Sequence, residues 1–281
     1  MPSRSFIVIA LSVLVLGYIG LNFLVKWMYP KQLFPFPESS YQSLPGLTFV
    51  ETDLGNQIAF VYLPNPSPEG PLLFYFHGNG EDIGMNEERF QWFIDQGYSV
   101  LALDYPSYGQ STGKPTASSI REATHAVWNY ARDQLGADAG STVLWGRSLG
   151  GAPATWLAAE DRFGGLVLES TFRSVFAVAN LPFPLFLAEP FPTEDLISEV
   201  MSPVYLFHGR RDRIIPYSHS EKLAAAAGEN ASLVLFEEGT HNDLRFVGGK
   251  EMENALPSLK ESIQAQNAGL PQKGPPSPTP P

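Results

Sequence analysis

The chain has 281 residues, is 44% hydrophobic and carries a formal net charge of −11, enough for one large α/β domain or two small ones with a sizeable core. The acidic balance argues against nucleic acid as a partner, because phosphates would be repelled. Cysteine is absent, which excludes disulfides, thiolate zinc sites and a cysteine nucleophile.

After a polar segment at residues 1–5, Phe6 to Val25 reads FIVIALSVLVLGYIGLNFLV, with no charge. An uncharged stretch of roughly 20 residues is what an α-helix needs to cross the hydrocarbon core. Lys26, Trp27 and Tyr29 follow, residue types that anchor at headgroup level. A cleaved signal peptide is the alternative. The stretch is long for one, and no A-x-A-like site follows in VKWMYPKQ. Residues 6–28 are therefore expected to form a retained, single-pass membrane anchor. Arg4 on one side and Lys26 with Lys31 on the other leave its orientation open. Residues 29–45, containing KQLFPFPESSYQSLP, are expected to be a linker, since prolines oppose regular structure. The Pro-rich end, residues 268–281, is expected to be disordered.

Residues 46–267 read as one domain. LTFVETD and QIAFVYL predict two strands joined by a turn at Leu54-Gly55-Asn56. LLFYFHG is a nearly continuous apolar run of the kind buried on both faces of a sheet. Strands and helices then alternate. MNEERFQWFIDQ, ASSIREATHAVWNYARDQL, LGGAPATWLAAE, SHSEKLAAAA and KEMENALPSLKESIQ read as helices. YSVLALD, STVLWG, GLVLES, SPVYLFHG and ASLVLFEE read as strands. Such alternation predicts an α/β fold: a mostly parallel sheet with helices on both faces and sites at the carboxyl ends of the strands. An insertion rich in Phe, Leu and Pro, about residues 172–201, is either a peripheral helix or a small apolar lid over the site.

Gly146-Arg147-Ser148-Leu149-Gly150 fits Gly-x-Ser-x-Gly, the sharp strand-to-helix turn that lifts a serine above a parallel sheet. Alone the match is unspecific. A serine nucleophile needs a base, and the base needs an acid to fix its tautomer. His77 and His208 precede glycines at strand ends and read as turn residues. His125 and His219 belong to helical segments and read as surface or packing residues. His241, in the loop EEGTHNDL after the last strand, is the base favoured by position. Asp212, in FHGRRDRIIP, is the favoured acid. Glu169 is the runner-up, and Asp243 follows too close to His241 to orient its far nitrogen. The order Ser148, Asp212, His241 is that of α/β-hydrolases. An oxyanion needs preorganised N–H donors. Leu149 should supply one and Asn79, in HGNG, the other, with Gly80 second.

The same loop imitates a dinucleotide fingerprint, with Asp104 as the ribose ligand. Its spacing is G-x-G-x-x-x-G, however, and Glu81 and Asp82 would stand where pyrophosphate must bind. No H-E-x-x-H and no P-loop occur, so no metal or organic cofactor is implied.

HGNG, DYPSYGQSTGKP, GRSLGG, FHGRRD and EEGTHND together resemble the α/β-hydrolase superfamily over roughly residues 45–265. They are most similar to its membrane-anchored, short-lid serine hydrolases, relatives of dienelactone hydrolase, monoglyceride lipase and acyl-protein thioesterases. The resemblance implies a Ser148–Asp212–His241 triad, a sheet of about eight strands, and hydrolysis of a carboxylic ester or thioester. Ser107 stands where the family usually has glycine. With an apolar lid and an anchor, the expected partners are a membrane and a small-molecule or lipid acyl ester, with oligomeric state open. A serine peptidase or amidase of the same fold, and a non-catalytic hydrolase-like membrane scaffold, are the alternatives.

Overall fold

The computed structural model describes residues 4–35, 38–67, 70–179 and 191–268. Eight strands form one sheet: β1 (Leu47–Glu51), β2 (Gln57–Leu63), β3 (Leu72–Phe76), β4 (Ser99–Leu103), β5 (Thr142–Arg147), β6 (Gly165–Glu169), β7 (Val204–Gly209) and β8 (Ala231–Phe236). Their order is β1-β2-β4-β3-β5-β6-β7-β8. The opening hairpin is antiparallel and lies at one edge, its turn closed by Thr52 N–H donating to Asn56 O at 2.9 Å. β2 runs antiparallel to β4, and every later pairing is parallel.

The apolar runs form buried strands because both faces are covered. Along β3, Leu73 and Tyr75 point into one core, and Phe74 and Phe76 into the other. Among the helices are α1 (Arg4–Leu33), α2 (Glu87–Asp95), α3 (Ala117–Leu135) and α4 (Gly151–Glu160). Then come α5 (Val175–Ala179), α6 (Thr193–Ile197), α7 (Ser218–Ala227), α8 (Leu244–Val247) and α9 (Gly249–Asn267). Phe90 and Phe93 of α2, with Met252, Leu256 and Leu259 of α9, close the first core. Ile120, Val127 and Trp128 of α3, Trp156 of α4 and Leu223 of α7 close the second. Helix α3 starts at a capping box between Thr116 and Ser119 and stops at Gly136, whose φ of 68° suits a residue without Cβ.

The chain winds from β3 outward to β4, then returns to place β5 on the other side of β3. That reversal is a topological switch point, where two loops diverge at the strands' carboxyl ends and leave a crevice. The two loops are His77–Gly80 after β3 and the Ser148 turn after β5.

Helix α1 runs to Leu33, past the expected end of the anchor at residue 28. Its stretch Arg4–Leu21 has mean hydropathy 2.1 and is wholly unburied, making it long and apolar enough to cross a membrane. The linker expected at 29–45 is not a loose tether. Phe34 is 2% exposed, its ring 6.2 Å from that of Phe191, and Tyr41 is buried as well. Ser40 N–H donates to Asp82 at 2.6 Å, and the Tyr41 hydroxyl donates to Asp104. Proline prevents a ladder of backbone hydrogen bonds but not the docking of aromatic side chains between prolines. In the 172–201 insertion, Phe191 stacks on Trp156 with centroids 5.3 Å apart. Residues 180–190, and with them the choice between lid and peripheral helix, lie outside the described residues, as do 1–3 and 269–281 of the two terminal segments.

Candidate active site

The Ser148 turn is built by sterics. A Cβ on Gly146 would lie 2.6 Å from Gly151 Cα, and one on Gly150 would lie 2.5 Å from Phe76 C, so neither position accepts a side chain. The tight packing presses the turn against the end of β3 and forces Ser148 to φ 50°, a conformation L-residues rarely adopt. Leu149 occupies the first turn of the helical segment that follows, where backbone N–H groups have no partner in the preceding turn. Thr171 anchors the turn from behind by donating its hydroxyl to Ser148 O at 2.7 Å.

Three side chains distant in sequence meet here. His241 Nε2 lies 3.0 Å from Ser148 Oγ, and His241 Nδ1 lies 2.7 Å from Asp212 Oδ2. The carboxylate fixes the tautomer, because only a protonated Nδ1 can donate to it, leaving Nε2 to accept from the serine hydroxyl. Asp212 Oδ1 accepts the N–H groups of Ile214 and Ile215, each at 2.8 Å. Burial alone would raise the Asp212 pKa. The hydrogen bonds from His208 and His241 and the nearby His241 charge outweigh it and hold the carboxyl well below the usual carboxylate range.

His208 differs from its reading as a turn residue. It is fully buried, with Nε2 2.8 Å from Ile215 O and 3.1 Å from Asp212 Oδ2, and Nδ1 2.7 Å from Ser220 Oγ. A carbonyl can only accept, so Nε2 carries the proton and ties the acid to its own loop. The only sequence hint was the spacing of four between His208 and Asp212. His77, by contrast, sits at the end of β3 with Nδ1 2.8 Å from Gly78 O, a local turn contact. His125 pairs with Glu160 at 2.9 Å on the surface. His219 is buried and accepts Arg173 N–H at 3.3 Å.

Glu169, the runner-up acid, has a different set of partners. Arg89 grips it through both terminal nitrogens at 2.6 and 3.1 Å, and Trp145 Nε1 donates at 3.1 Å. Burial by itself would raise its pKa, but the positive charges of Arg89 and then Arg147 keep it low. Asp243 accepts Thr240 N–H at 2.7 Å at the start of α8.

Arg147, the variable residue before the serine, was not singled out from the sequence. It pairs with Glu81, donates to Asn242 Oδ1 at 2.6 Å and reaches the His241 carbonyl at 3.4 Å. One guanidinium thus joins the loop after β3 to the loop that carries His241. The signal available was its charge: a buried arginine at a strand end requires counter-charges nearby.

In the loop after β3, the Asn79 side chain accepts from the Tyr108 hydroxyl at 2.6 Å, and the Gly80 backbone N–H also interacts with that phenol oxygen. The fingerprint-like acidic residues have other partners. Asp82 holds Ser40 and caps Met85 N–H at 3.0 Å, Glu81 pairs with Arg147, and Asp104 takes Tyr41 and Ile83 N–H. A Cβ on Gly84 would lie 2.6 Å from Ser40 Oγ, so that glycine makes room for Ser40 and Tyr41. No group of three or more His, Asp or Glu placed to hold a metal ion occurs among the described residues.

A parallel sheet with an antiparallel hairpin at one edge, helices on both faces and a strained serine turn after its fifth strand defines the α/β-hydrolase fold. The chain belongs to the α/β-hydrolase family. The family model for the alpha/beta hydrolase fold matches residues 71–192. Human alpha/beta hydrolase domain-containing protein 17B is 31% identical over 228 residues, covering 78% of this chain and 75% of its own. The uncharacterized protein YfhR of Escherichia coli strain K12 is 29% identical over 249 residues, covering 84% and 85%. An esterase of Pyrococcus furiosus superposes with a TM-score of 0.67 over 81% of this chain and 97% of its own, at 16% identity, a likeness of fold.

Proposed function

We propose that the chain is a serine hydrolase, held at a membrane by α1, that cleaves carboxylic ester or thioester bonds of acyl-lipid or acylated substrates. The observation that carries the reading is the continuous relay from Ser148 Oγ through the His241 ring to Asp212, at 3.0 and 2.7 Å. In the first half-reaction His241 Nε2 takes the Ser148 proton as Oγ bonds to the acyl carbon. The carbonyl oxygen becomes an oxyanion facing the backbone N–H groups of Leu149 and Asn79. When it collapses, the bond to the leaving oxygen or sulfur breaks, and His241 returns the proton to that atom. Water then repeats the sequence on the acyl-serine and releases a carboxylic acid. Asp212 stays ionised throughout and steadies the imidazolium, as its lowered pKa favours.

The membrane part of the reading is supported by the fully exposed apolar length of α1. The helix leads directly into Phe34 and Pro35, and Pro35 lies beside Gly80 in the loop after β3. A helix in the bilayer would thus hold that loop close to the lipid surface, where long-chain acyl groups reside.

The test is turnover of p-nitrophenyl esters and acyl thioesters of increasing chain length by the full chain in detergent micelles. Wild type should hydrolyse them, and Ser148→Ala should lower kcat by about 10⁶-fold. Folded wild type with no turnover of any ester or thioester would contradict the reading.

A further inference from the structure

A cavity of about 510 Å³ is lined by residues 173–178 and 213–222 and has no role in the chemistry above. Its walls continue the two segments that hold the site. Arg173 lies two residues after Thr171, the anchor of the serine turn, and Arg213 directly follows Asp212. Two residues span at most about 7 Å, so the backbones of Arg173 and Arg213 stay close to Thr171 and Asp212, the residues that hold the serine turn and the His241 ring. Lys222 of α7 adds a third cation, and Val178 and Ile214 are apolar.

The charges there are under-compensated. Arg173 pairs with Glu194 at 3.0 Å. Arg210 and Arg211, earlier in the same loop as Arg213, pair with Glu237 and Glu238. Arg213 and Lys222 have no carboxylate within 4.0 Å among the described residues. In a chain of net charge −11, two cations lining one cavity with no described carboxylate within 4.0 Å give it a local positive field. Burial first, then the charges of Arg173, His208 and Lys222 against the opposing charge of Asp212, push the pKa of His219 on the cavity wall down to about 4. His219 is therefore neutral near pH 7. Its Nδ1 accepts Arg173 N–H, so Nε2 bears the proton and is a neutral donor. The N-terminus of the ten-residue α7, with Ser218 on the same wall, adds its positive end.

We infer that this groove binds a phosphate carried by the leaving group of the substrate, so that the hydrolase prefers acyl esters or thioesters with a phosphorylated leaving group. The inference rests on the hydrolase reading above. Two cations unpaired among the described residues, a neutral N–H donor and a helix N-terminus match a dianion with several acceptor oxygens better than a single carboxylate.

The experiment uses the full chain in non-ionic detergent and three substrates with one acyl chain: 1-oleoyl lysophosphatidate, oleoyl-coenzyme A and 1-oleoylglycerol. For at least one phosphate-bearing substrate, kcat/KM relative to oleoylglycerol should be about tenfold or more in wild type and fall about tenfold in Arg213→Gln/Lys222→Gln. Preference for lysophosphatidate alone assigns a lipid headgroup, and preference for the coenzyme A ester alone assigns a nucleotide phosphate. A wild-type ratio at or below one, or a ratio unmoved in the double variant, overturns the inference. So does an unmoved ratio accompanied by lost binding to phosphatidylserine vesicles, which would assign the cations to a membrane surface. If wild type turns over none of the three, the hydrolase reading is judged by the p-nitrophenyl ester and thioester series above. The groove is then judged by calorimetry with the ether analogue of lysophosphatidate: about tenfold weaker binding to the double variant upholds it, and equal binding overturns it.

Discussion

At the level of single residues, the account turns on which carboxylate serves His241. Asp212 and Glu169 both end parallel strands or begin the loops after them, and sequence position alone ranks them only loosely. What separates them is the arginine at position 89, which no motif marks and which grips Glu169 from a helix 80 residues away. The two are expected to fail in opposite ways. Asp212→Asn should keep the fold and lower kcat by about 10³–10⁴-fold, because a neutral amide no longer holds the productive tautomer. Glu169→Gln should leave Arg89 buried without its counter-charge and cost about 3 kcal/mol of stability, while the folded fraction still turns over. Denaturant titration beside ester kinetics on the two variants checks both statements. Ser107 offers a second contrast. The sequence shows it only as a departure from a usual glycine. The structure gives the reason glycine is usual: the residue sits at φ 72°. Ser107→Gly should raise stability by about 0.5–1 kcal/mol, the relief of left-handed strain less the added freedom of the unfolded chain. A lower denaturation midpoint for that variant would contradict it.

Among the elements, the strands and core helices were legible because burial on both sheet faces writes itself into composition as LLFYF, SVLAL and GLVLE between glycines and prolines. The strand order was not, since nothing local tells β5 to cross to the far side of β3. The packing of Phe34, Ser40 and Tyr41 within the expected linker was not legible for a related reason. The linker's prolines report the lack of a hydrogen-bond ladder, whereas its docking depends on Asp82 and Asp104, two carboxylates far along the chain that no local pattern connects to it. Asp104 also lends the loop after β3 its false likeness to a dinucleotide site, while Asp82 counts against it. Phe34→Ala should therefore destabilise the domain by about 3 kcal/mol, the cost of emptying a nearly unexposed aromatic site. A loss below about 0.5 kcal/mol in urea unfolding followed by tryptophan fluorescence would return the segment to the status of a linker.

For the whole molecule, an apolar N-terminal helix, a docked junction and a reactive-looking serine turn share one end of the sheet. The junction joins the other two: Pro35 lies beside Gly80 in the loop after β3, Ser40 holds Asp82 just past that loop, and Tyr41 holds Asp104 after β4. Such an arrangement would bring the site to lipids rather than waiting for them to diffuse through water. It is compatible with the net charge of −11, since substrate recruitment would rely on the anchor and on a local cationic groove instead of overall charge. The central claim remains chemical, that Ser148 is a nucleophile activated by His241. It is tested most directly by treating the full chain with a fluorophosphonate and locating the adduct by mass spectrometry. One adduct on Ser148, absent from Ser148→Ala and slowed at least about 10³-fold in His241→Ala, is the expected result. Folded wild type that takes no adduct, or takes it on another residue with Ser148 unmodified, would contradict the account.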